Sequence, residues 1–471
     1  MLFTFNMLKC TFTFLYTLFF LTACVSQDSL STKTAVVTDA DLLEIHYFLD
    51  LVDSQDETSI KDALVYIEEN WKPDYEIMVI ELIYFNFNSY IGAELLKILE
   101  KKTNQNFGYD MNGWYKWLWS KDPNSLQRYD YFKAKLHRRI DTRFEKYFLE
   151  RETTSTIRFD EIRWGGVLQD GIPPLRDPEM ISASEADYLE DHHTVFGIEV
   201  NGDFRAYPKR ILAWHEMFTA TVGDVPVTGV YCTLCGTVIL YKSIHEGKKY
   251  NFGTSGFLFR SNKLMYDQET QSLWNTIWGK PVVGPLVGKG IELDYLSVVT
   301  TTWGEWKQLH PSTQVLSLNT GHRRDYGEGV AYRDYFSTDR LMFNVPSLTS
   351  TGIKNKQSIL VVVLPEYPNN PLAISVKFLK KNPVYHHSIG NTRFVVLTDH
   401  TGANRVYESK EHTFTTYYQE KHYVTDEAGK QWKVFENRLE GENGATIRRI
   451  NTYNAFWFGW QAAYPSTELI R

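Results

Sequence analysis

The chain has 471 residues, of which 43% are hydrophobic and 15% are aromatic. This composition excludes a mainly disordered chain, and the length is enough for two or three domains with cores of their own. Lys and Arg number 50 against 57 Asp and Glu, which gives a net charge of −7. Because nucleic-acid-binding proteins usually carry a basic excess, we expect no nucleic-acid partner.

The N-terminus predicts export and a lipid anchor. Residues 12–21 are mostly Phe, Leu and Tyr, and they follow the basic residue Lys9. This apolar stretch is shorter than the roughly 20 apolar residues that a helix needs to span a bilayer. Such a stretch is typical of a secretory signal rather than of an anchor helix. It closes on "LTAC", which looks like a bacterial lipobox and implies cleavage before Cys24 and lipidation of its thiol.

We therefore interpret residues 1–23 as a lipoprotein signal peptide and residues 24–37 as a tether. The lipid on Cys24 would make the membrane a partner and place the protein in the cell envelope. Val25 follows the lipid-bearing cysteine where retained lipoproteins carry an aspartate. In a Gram-negative cell this predicts an outer-membrane lipoprotein that faces the periplasm.

Residues 38–152 are predicted to form an array of short helices. Ile60, Ala63, Leu64 and Ile67 recur at helical spacing after a candidate cap at Ser59. The aromatic stretch "TNQNFGYDMNGWYKWLW" resembles the last helix of a HEAT-like repeat, and its tryptophans fit a core or a capping surface. The array is a candidate surface for an envelope protein partner.

Residues 153–471 are predicted to be rich in β-strands, because Gly-Pro turns alternate with short β-type runs. The segment that starts at Ala206 aligns without gaps on the segment that starts at Ala373. This predicts two related units, about 195–255 and 360–420, with a pseudo-twofold relation. The fold class is therefore α+β, with an N-terminal all-α helical array followed by a β-rich domain of two related halves.

The motif "VYCTLCGT" supplies the strongest candidate site. With Cys10 in the signal peptide and Cys24 lipidated, Cys232 and Cys235 would be the thiols of the folded protein. The motif lies between two β-prone runs, so the pair belongs at a hairpin tip rather than at the helix N-terminus that activates thioredoxin-type thiols. Two thiolates on one turn are half of a tetrahedral zinc or copper site.

Imidazole or thioether would have to complete such a metal site. His215 lies just upstream of the hairpin and is the first candidate, with Met265 and His245 as further candidate ligands, and His310 and His322 more distant ones. Without a metal, an oxidising compartment favours a disulfide between the two cysteines, with a structural or redox role. Its small loop would stabilise the fold little.

Seven motifs together resemble the bacterial family of unknown function DUF3179. They are "DGIPPLRDP", "VNGDFRAYP", "WHEMF", "VYCTLCGT", "GTSGFLFRSNKLMYDQETQSLW", "TTWGEWKQLHPSTQVLS" and "FWFGWQAAYPSTEL", and they run from about residue 157 to the C-terminus. Thr233 stands where the family commonly has proline. The resemblance implies an envelope-associated domain without an established activity, and its motif positions imply these candidate ligand-binding residues: Arg205, Tyr207, Ser255, Tyr266, Asp267 and Trp274.

A polar loop, "NTGHRRDYGEGVAYRDY", adds His322 and Arg323 as candidate ligands for an anion, the alternative being a solvated turn. Three functions follow from the sequence. The first is zinc or copper binding at the cysteine hairpin. The second is a non-catalytic module that binds an envelope glycan or protein through its aromatics and helical array, with no cofactor. The third is thiol-disulfide chemistry.

Overall fold

The computed structural model describes residues 39–85, 87–123, 128–149, 151, 154–348 and 351–471. The predicted signal peptide, the tether, Cys24 and the boundary between residues 152 and 153 therefore lie outside the described residues. Residues Asp39–Arg471 form one compact unit. No helix among the described residues is both long enough and apolar enough to pass through a bilayer.

The first part of this unit is helical, as predicted. The structure corrects the predicted cap: Asp56 lies before the second helix, and its carboxylate accepts a hydrogen bond from the backbone N–H of Ser59 at 2.8 Å. Asn88 caps the fourth helix in the same way. The helices are α1 Asp39–Asp53, α2 Glu57–Glu69, α3 Glu76–Phe85, α4 Ser89–Thr103, α5 Met111–Ser120, α6 Tyr129–Arg138 and α7 Glu145–Phe148.

Strands dominate the rest of the unit. The strands between residues 162 and 283 are β1 Ile162–Trp164, β2 Leu175–Arg176, β3 Met180–Ser182, β4 Thr194–Val200, β5 Asp203–Pro208, β6 Met217–Val222, β7 Val225–Cys232, β8 Thr237–Lys242, β9 Ile244–His245, β10 Lys248–Lys249, β11 Phe252–Phe259, β12 Asn262–Asp267, β13 Leu273–Asn275 and β14 Lys280–Val283. Helix α8 Lys209–His215 lies between β5 and β6.

The remaining strands are β15 Tyr295–Leu296, β16 Val299–Thr302, β17 Gln314–Leu316, β18 Ser358–Val362, β19 Leu372–Ser375, β20 Val384–Ile389, β21 Thr392–Thr398, β22 Asn404–Glu408, β23 Phe414–Tyr418, β24 Tyr423–Asp426, β25 Gln431–Val434, β26 Arg438–Gly441, β27 Thr446–Ile450, β28 Tyr453–Phe456 and β29 Glu468–Ile470. The helices among them are α9 Trp303–Leu309, α10 Arg333–Ser337, α11 Val376–Leu379 and α12 Trp457–Ala463.

Two five-stranded sheets meet at the cysteine hairpin. One has the order β15-β8-β7-β6-β2 and contains the hairpin, and the other has the order β1-β11-β12-β13-β14. The second sheet shares a hydrophobic core with the helical array. The ring of Phe257 on β11 lies 4.7 Å from the ring of Phe144 and 5.0 Å from that of Phe148. The α+β class is confirmed. The helical array and the β1-β11-β12-β13-β14 sheet bury one common core.

Two stretches of the β-rich part have the same order of elements, β4-β5-α8-β6-β7-β8 and β18-β19-α11-β20-β21-β22. In the first stretch β4 pairs antiparallel with β16 and β5 pairs parallel with β17, and helix α9 connects β16 to β17. In the second stretch β18 pairs antiparallel with β28 and β19 pairs parallel with β29, and helix α12 connects β28 to β29. Trp306 and Trp460 on those helices donate to Thr313 and Thr467, both at 2.9 Å. The internal repeat itself stays a prediction.

Candidate functional site

The cysteine pair lies where the hairpin of β7 and β8 turns. Cys232 is the last residue of β7 and pairs with Thr237, and Cys235 lies within the turn. Gly236 has a φ of +56°, and a Cβ at this position would come within 2.7 Å of the Phe456 ring. A glycine is therefore required here both by the left-handed backbone and by the close approach of the ring.

Both thiols are free and buried, with 4% of Cys232 and 0% of Cys235 exposed. Their Sγ atoms share a hydrogen bond of 2.9 Å, and Cys235 Sγ donates a second one to the carbonyl oxygen of Ser261 at 3.0 Å. Helix α12 covers Cys235, because a Cβ on Gly459 would lie only 3.0 Å from the Cys235 Cβ. Cys235 is therefore the enclosed thiol of the pair.

A buried ion pair lies beside the hairpin. Glu216 follows α8 with a left-handed φ of +56°, and its carboxylate pairs with the ammonium group of Lys263 on β12. The same carboxylate accepts hydrogen bonds from the hydroxyls of Thr233, in the cysteine turn, and of Tyr332, the latter at 2.9 Å. Such a buried pair requires these hydrogen bonds to offset its desolvation.

The two thiols differ in acidity. Burial raises the pKa of Cys232, but the hydrogen bond with Cys235, a backbone hydrogen bond from Lys263 and the Lys263 charge outweigh burial and the Glu216 charge, so the pKa of Cys232 is lowered. Burial, the partner thiol and Glu216 raise the pKa of Cys235 well above the ordinary value. Cys232 is therefore the more acidic thiol of the pair.

Cys232 borders a small inner cavity of about 50 Å³. A cavity of this size admits only a few non-hydrogen atoms. Its charged lining residues are the paired Glu216 and Lys263, and its other lining residues are Gly165, Val167, Ile172, Cys232, Thr233, Leu234, Thr254, Gly256, Phe257, Leu258 and Tyr332. Cys235 does not line it, so a molecule in this cavity would meet the more acidic thiol first.

His215, the first candidate for a third metal ligand, is held elsewhere. Its Nδ1 hydrogen-bonds the carbonyl oxygen of Pro173 at 2.9 Å, and its Nε2 hydrogen-bonds the hydroxyl of Tyr326. Burial lowers the pKa of His215 from 6.5 to about 4. The structure brings the two predicted cysteine ligands together, but it occupies both ring nitrogens of this histidine with other partners.

Within the described part of the chain, one group of three metal-ligating side chains has its ligand atoms within 4.8 Å of one another. It consists of Glu190, His192 and His193, in the loop before β4. His193 Nδ1 already accepts a hydrogen bond from the backbone N–H of Glu190 at 3.0 Å. Among the described residues, no His, Asp or Glu side chain forms such a group of three with Cys232 and Cys235.

The other candidate metal ligands lie apart from the cysteine turn. Met265 is fully buried on β12, in the same hydrophobic cluster as Trp274. His245 lies on the two-stranded β9-β10 sheet. His310 follows α9, where its Nε2 contacts Glu436 at 3.3 Å. Binding of a metal through these residues stays a prediction.

Four of the residues implied as ligand-binding support the β11-β13 strands. Ser255 is buried and donates to the carbonyl oxygen of Leu264 at 2.6 Å. The hydroxyl of Tyr266 donates to Asp170 at 2.6 Å. Asp267 accepts hydrogen bonds from the backbone of the following turn and from the indole of Trp274, the latter at 2.9 Å. The contacts observed for these side chains fix backbone positions around β12, the strand that carries Lys263.

The remaining predicted ligand-binding residues differ in exposure. The guanidinium of Arg205 forms two hydrogen bonds with the Asp203 carboxylate, at 2.8 and 3.1 Å. Tyr207 is fully buried, with its ring stacked 3.7 Å from the ring of Phe218. His322 and Arg323 are exposed on the loop after β17, as expected for a loop that meets solvent. Their binding of an anion stays a prediction.

Two residues of the site are not among the candidates that the sequence suggests, Lys263 and Tyr332. Lys263 is a charged residue within a strand whose other residues are also buried, a pattern that marks a paired charge but does not name its partner. Tyr332 is 116 residues from Glu216 in sequence. Only the three-dimensional arrangement brings these side chains to the cysteine hairpin.

The fold and the site together define an α+β protein with a buried dithiol at a β-hairpin turn, next to a carboxylate-ammonium pair. A family model described as "Protein of unknown function (DUF3179)" matches residues 169–467, so the chain belongs to this family. No curated protein and no solved structure is significantly similar to the chain.

Proposed function

We propose that the protein carries out thiol-disulfide chemistry, with Cys232 as the attacking thiol and Cys235 as the resolving thiol. The observation that carries this proposal is the asymmetry of the pair. One thiol has a lowered pKa and borders a cavity, while its neighbour, at a sulfur-to-sulfur distance of 2.9 Å, has a raised pKa and is enclosed. Such an arrangement suits sequential attack, because the thiolate is the nucleophile.

The proposed reaction oxidises the pair and reduces a disulfide substrate. The Cys232 thiolate attacks one sulfur of the substrate, the substrate S–S bond breaks, and the first substrate thiolate leaves. Cys235 then loses its proton and attacks Cys232 Sγ, which releases the second substrate thiolate. The two thiolates take up the two protons that the cysteines lost, so one disulfide and one dithiol exchange two electrons.

The pH profile of Cys232 alkylation tests the acidity of this thiol. We expect the rate with iodoacetamide to rise with pH and to reach its half-maximum below about pH 8.5, the ordinary value for cysteine. Lys263→Gln should move the profile to higher pH, because the ammonium is lost and the Glu216 carboxylate is left unpaired beside the thiol. Mass spectrometry of the Cys232 peptide gives the rate at each pH.

Lys242→Gln is the matched control, because Lys242 is half-exposed and pairs with Asp294 at 3.2 Å at the other end of β8. It removes the same charge and should leave the profile unchanged. A wild-type profile centred at or above the ordinary cysteine value would contradict the proposed role of Cys232.

Zinc or copper binding is the second candidate function. It is favoured by the convergence of two sulfurs on one side of a hairpin turn, a geometry that suits two thiolate ligands. The remaining metal ligands would have to be residues or molecules that do not lie beside the cysteines in this structure, or His215 after a rearrangement that frees one of its ring nitrogens. Elemental analysis of the purified chain decides between the candidates: one metal per chain that is lost in Cys232→Ser supports binding, and its absence rejects it.

We also propose that the protein is lipid-anchored in the cell envelope, with the membrane as a partner. The support is the "LTAC" sequence that closes an apolar segment at Cys24. In cells fed radiolabelled palmitate, we expect the wild-type chain to be labelled and to sediment with membranes. Cys24→Ala should lose both properties, because the thiol that takes the lipid is gone. Unchanged labelling in this variant would contradict the anchor.

Binding of an envelope glycan or protein is the non-catalytic alternative. The structure buries most of the tryptophans that suggested it, with Trp274, Trp306 and Trp460 at 0% exposure. Trp278 is partly buried and stays available as a stacking surface. Capture of a glycan or partner that survives Cys232→Ser would support this alternative.

A further inference from the structure

A second cavity adjoins the inner cavity at Cys232. It has a volume of about 320 Å³, near the lower end of the range for small-molecule sites. Val167, Ile172 and Tyr332 line both cavities and form the partition between them. This outer cavity therefore lies against the inner cavity that Cys232 borders, with these three side chains between the two cavities. Its other lining residues are Gly171, Ala213, Trp214, Arg324, Val330 and Ala331.

Arg324 gives the outer cavity its chemical character. Among the described residues that line this cavity, it alone carries a charge. Its guanidinium lies 5.9 Å from the centre of the Trp214 ring, which also lines the cavity. The side chain is exposed, so a molecule arriving from solvent can reach it.

The loop that carries Arg324 is fixed to the rest of the protein. The indole of Trp214 donates to the carbonyl oxygen of Asp325 at 2.8 Å, and the guanidinium of Arg210 donates to that of Tyr326. The Asp325 carboxylate accepts a hydrogen bond from the backbone N–H of Gly327 at 2.8 Å, and so is engaged in its own turn. The backbone of Arg324 is therefore positioned before a ligand arrives.

The charges of the inner cavity do not compete for an anion in the same way. Lys263 is paired with Glu216, and the carboxylate is also held by Thr233 and Tyr332. An anionic group would thus meet its cation at Arg324, whose guanidinium donates to the carbonyl oxygen of Arg323 at 3.2 Å and pairs with no carboxylate among the described residues. The reactive end of the same molecule must be small, because the inner cavity holds only about 50 Å³.

We propose that the outer cavity binds the anionic group of a small substrate through Arg324 and directs its reactive end past Tyr332 to Cys232. This inference rests on the proposed thiol function and adds its substrate class, a low-molecular-weight disulfide that carries a carboxylate. In the exchange reaction the carboxylate stays at Arg324 while the Cys232 thiolate attacks the nearer substrate sulfur, the substrate S–S bond breaks, and the other sulfur leaves as a thiolate.

Two alkylating probes of nearly equal size test this substrate class on the reduced full chain. Iodoacetate is anionic and iodoacetamide is neutral, and with each the Cys232 thiolate attacks the methylene carbon and iodide leaves. We expect Arg324→Gln to slow the reaction of Cys232 with iodoacetate about threefold, the range of an exposed ion pair. The rate with iodoacetamide should stay the same, because that probe carries no charge.

Arg333→Gln is the matched control. Arg333 lies on α10 and is exposed, and it lines neither cavity. This variant removes the same charge from the same segment, so the ratio of the two rates should equal that of the wild type. An equal fall in the ratio for both variants would overturn the proposal, since a general loss of positive charge would then explain it.

The outcomes separate this inference from the function on which it rests. If Cys232 reacts with iodoacetamide but Arg324→Gln leaves the iodoacetate rate unchanged, the role of Arg324 is wrong and the reactive thiol stands. If Cys232 reacts with neither probe in the folded protein, the reactive thiol is wrong and the substrate class falls with it.

Discussion

With Cys235 replaced by serine, Cys232 is expected to form a stable mixed disulfide with a small disulfide such as dithiodiglycolate. In the wild type this adduct should be transient, because the resolving thiol lies 2.9 Å from Cys232 and displaces the bound thiol. Cys232→Ser should form no adduct, because the remaining thiol has a raised pKa and is enclosed under α12. The measurement is the mass of the intact protein after acid quenching.

The two serine variants are each other's control, since both remove one sulfur from the same turn. Circular dichroism before the reaction shows whether each variant is folded. Adduct formation at Cys235 in the Cys232→Ser variant, at a rate equal to that of Cys232 in the Cys235→Ser variant, would contradict the assigned order of attack.

The second large effect is expected at Arg405, on β22 of the β-rich part. This side chain is 3% exposed and pairs with Asp399 at 3.1 Å and with Glu436 at 2.7 Å. Arg405→Met should lower the free energy of unfolding by about 3–5 kcal/mol, because it leaves buried carboxylates without their partner. Arg449 at 3.2 Å from Glu436 compensates only one of the two carboxylates.

Urea unfolding of the purified chain measures this loss, with linear extrapolation to water. Arg438→Met is the control, because Arg438 pairs with Glu440 at 2.7 Å while both side chains are 38% exposed. It should cost about 0–1 kcal/mol. A loss for Arg405→Met no greater than that for Arg438→Met would contradict a structural role for the buried network.

Arg405 also shows how the two predicted repeat units differ. In the sequence alignment, Asp399 stands opposite Cys232, and in the structure it follows β21 as Cys232 closes β7. The Asp399 carboxylate accepts hydrogen bonds from the backbone N–H groups of its own turn and from Arg405. Of the two turns that this alignment places opposite each other, one therefore carries a dithiol beside a cavity, and the other carries an ion network that stabilises the fold.

Periodicity made the coarse fold predictable. The spacing of Ala63, Leu64 and Ile67 alone predicts one face of a helix, and all three are buried in α2. The cysteine turn could be predicted in the same way, because the β-prone runs on either side of it form β7 and β8. Both features depend on neighbours within a few residues, which a sequence displays directly.

The surroundings of the cysteines could not be predicted in this way. Glu216 follows the short helix α8 in a left-handed conformation, and its side chain reaches the cysteine turn. The side chain of His215 instead hydrogen-bonds Pro173 and Tyr326. The residue next to His215 in the sequence is thus the one that contacts the cysteine turn, through the hydroxyl of Thr233. Lys263 and Tyr332 reach the site from a different sheet and from a long loop, and no local pattern reports such distant contacts.

The reduction potential of the cysteine pair is the most direct test of the proposed function. The full chain is equilibrated in glutathione buffers of increasing oxidising strength, and the fraction of protein that has lost two hydrogen atoms is read by mass spectrometry. We predict a reversible midpoint between about −270 and −120 mV, the range of thiol-disulfide exchange proteins. A midpoint below about −300 mV, the range of structural disulfides, or a pair that never oxidises would contradict the proposed function.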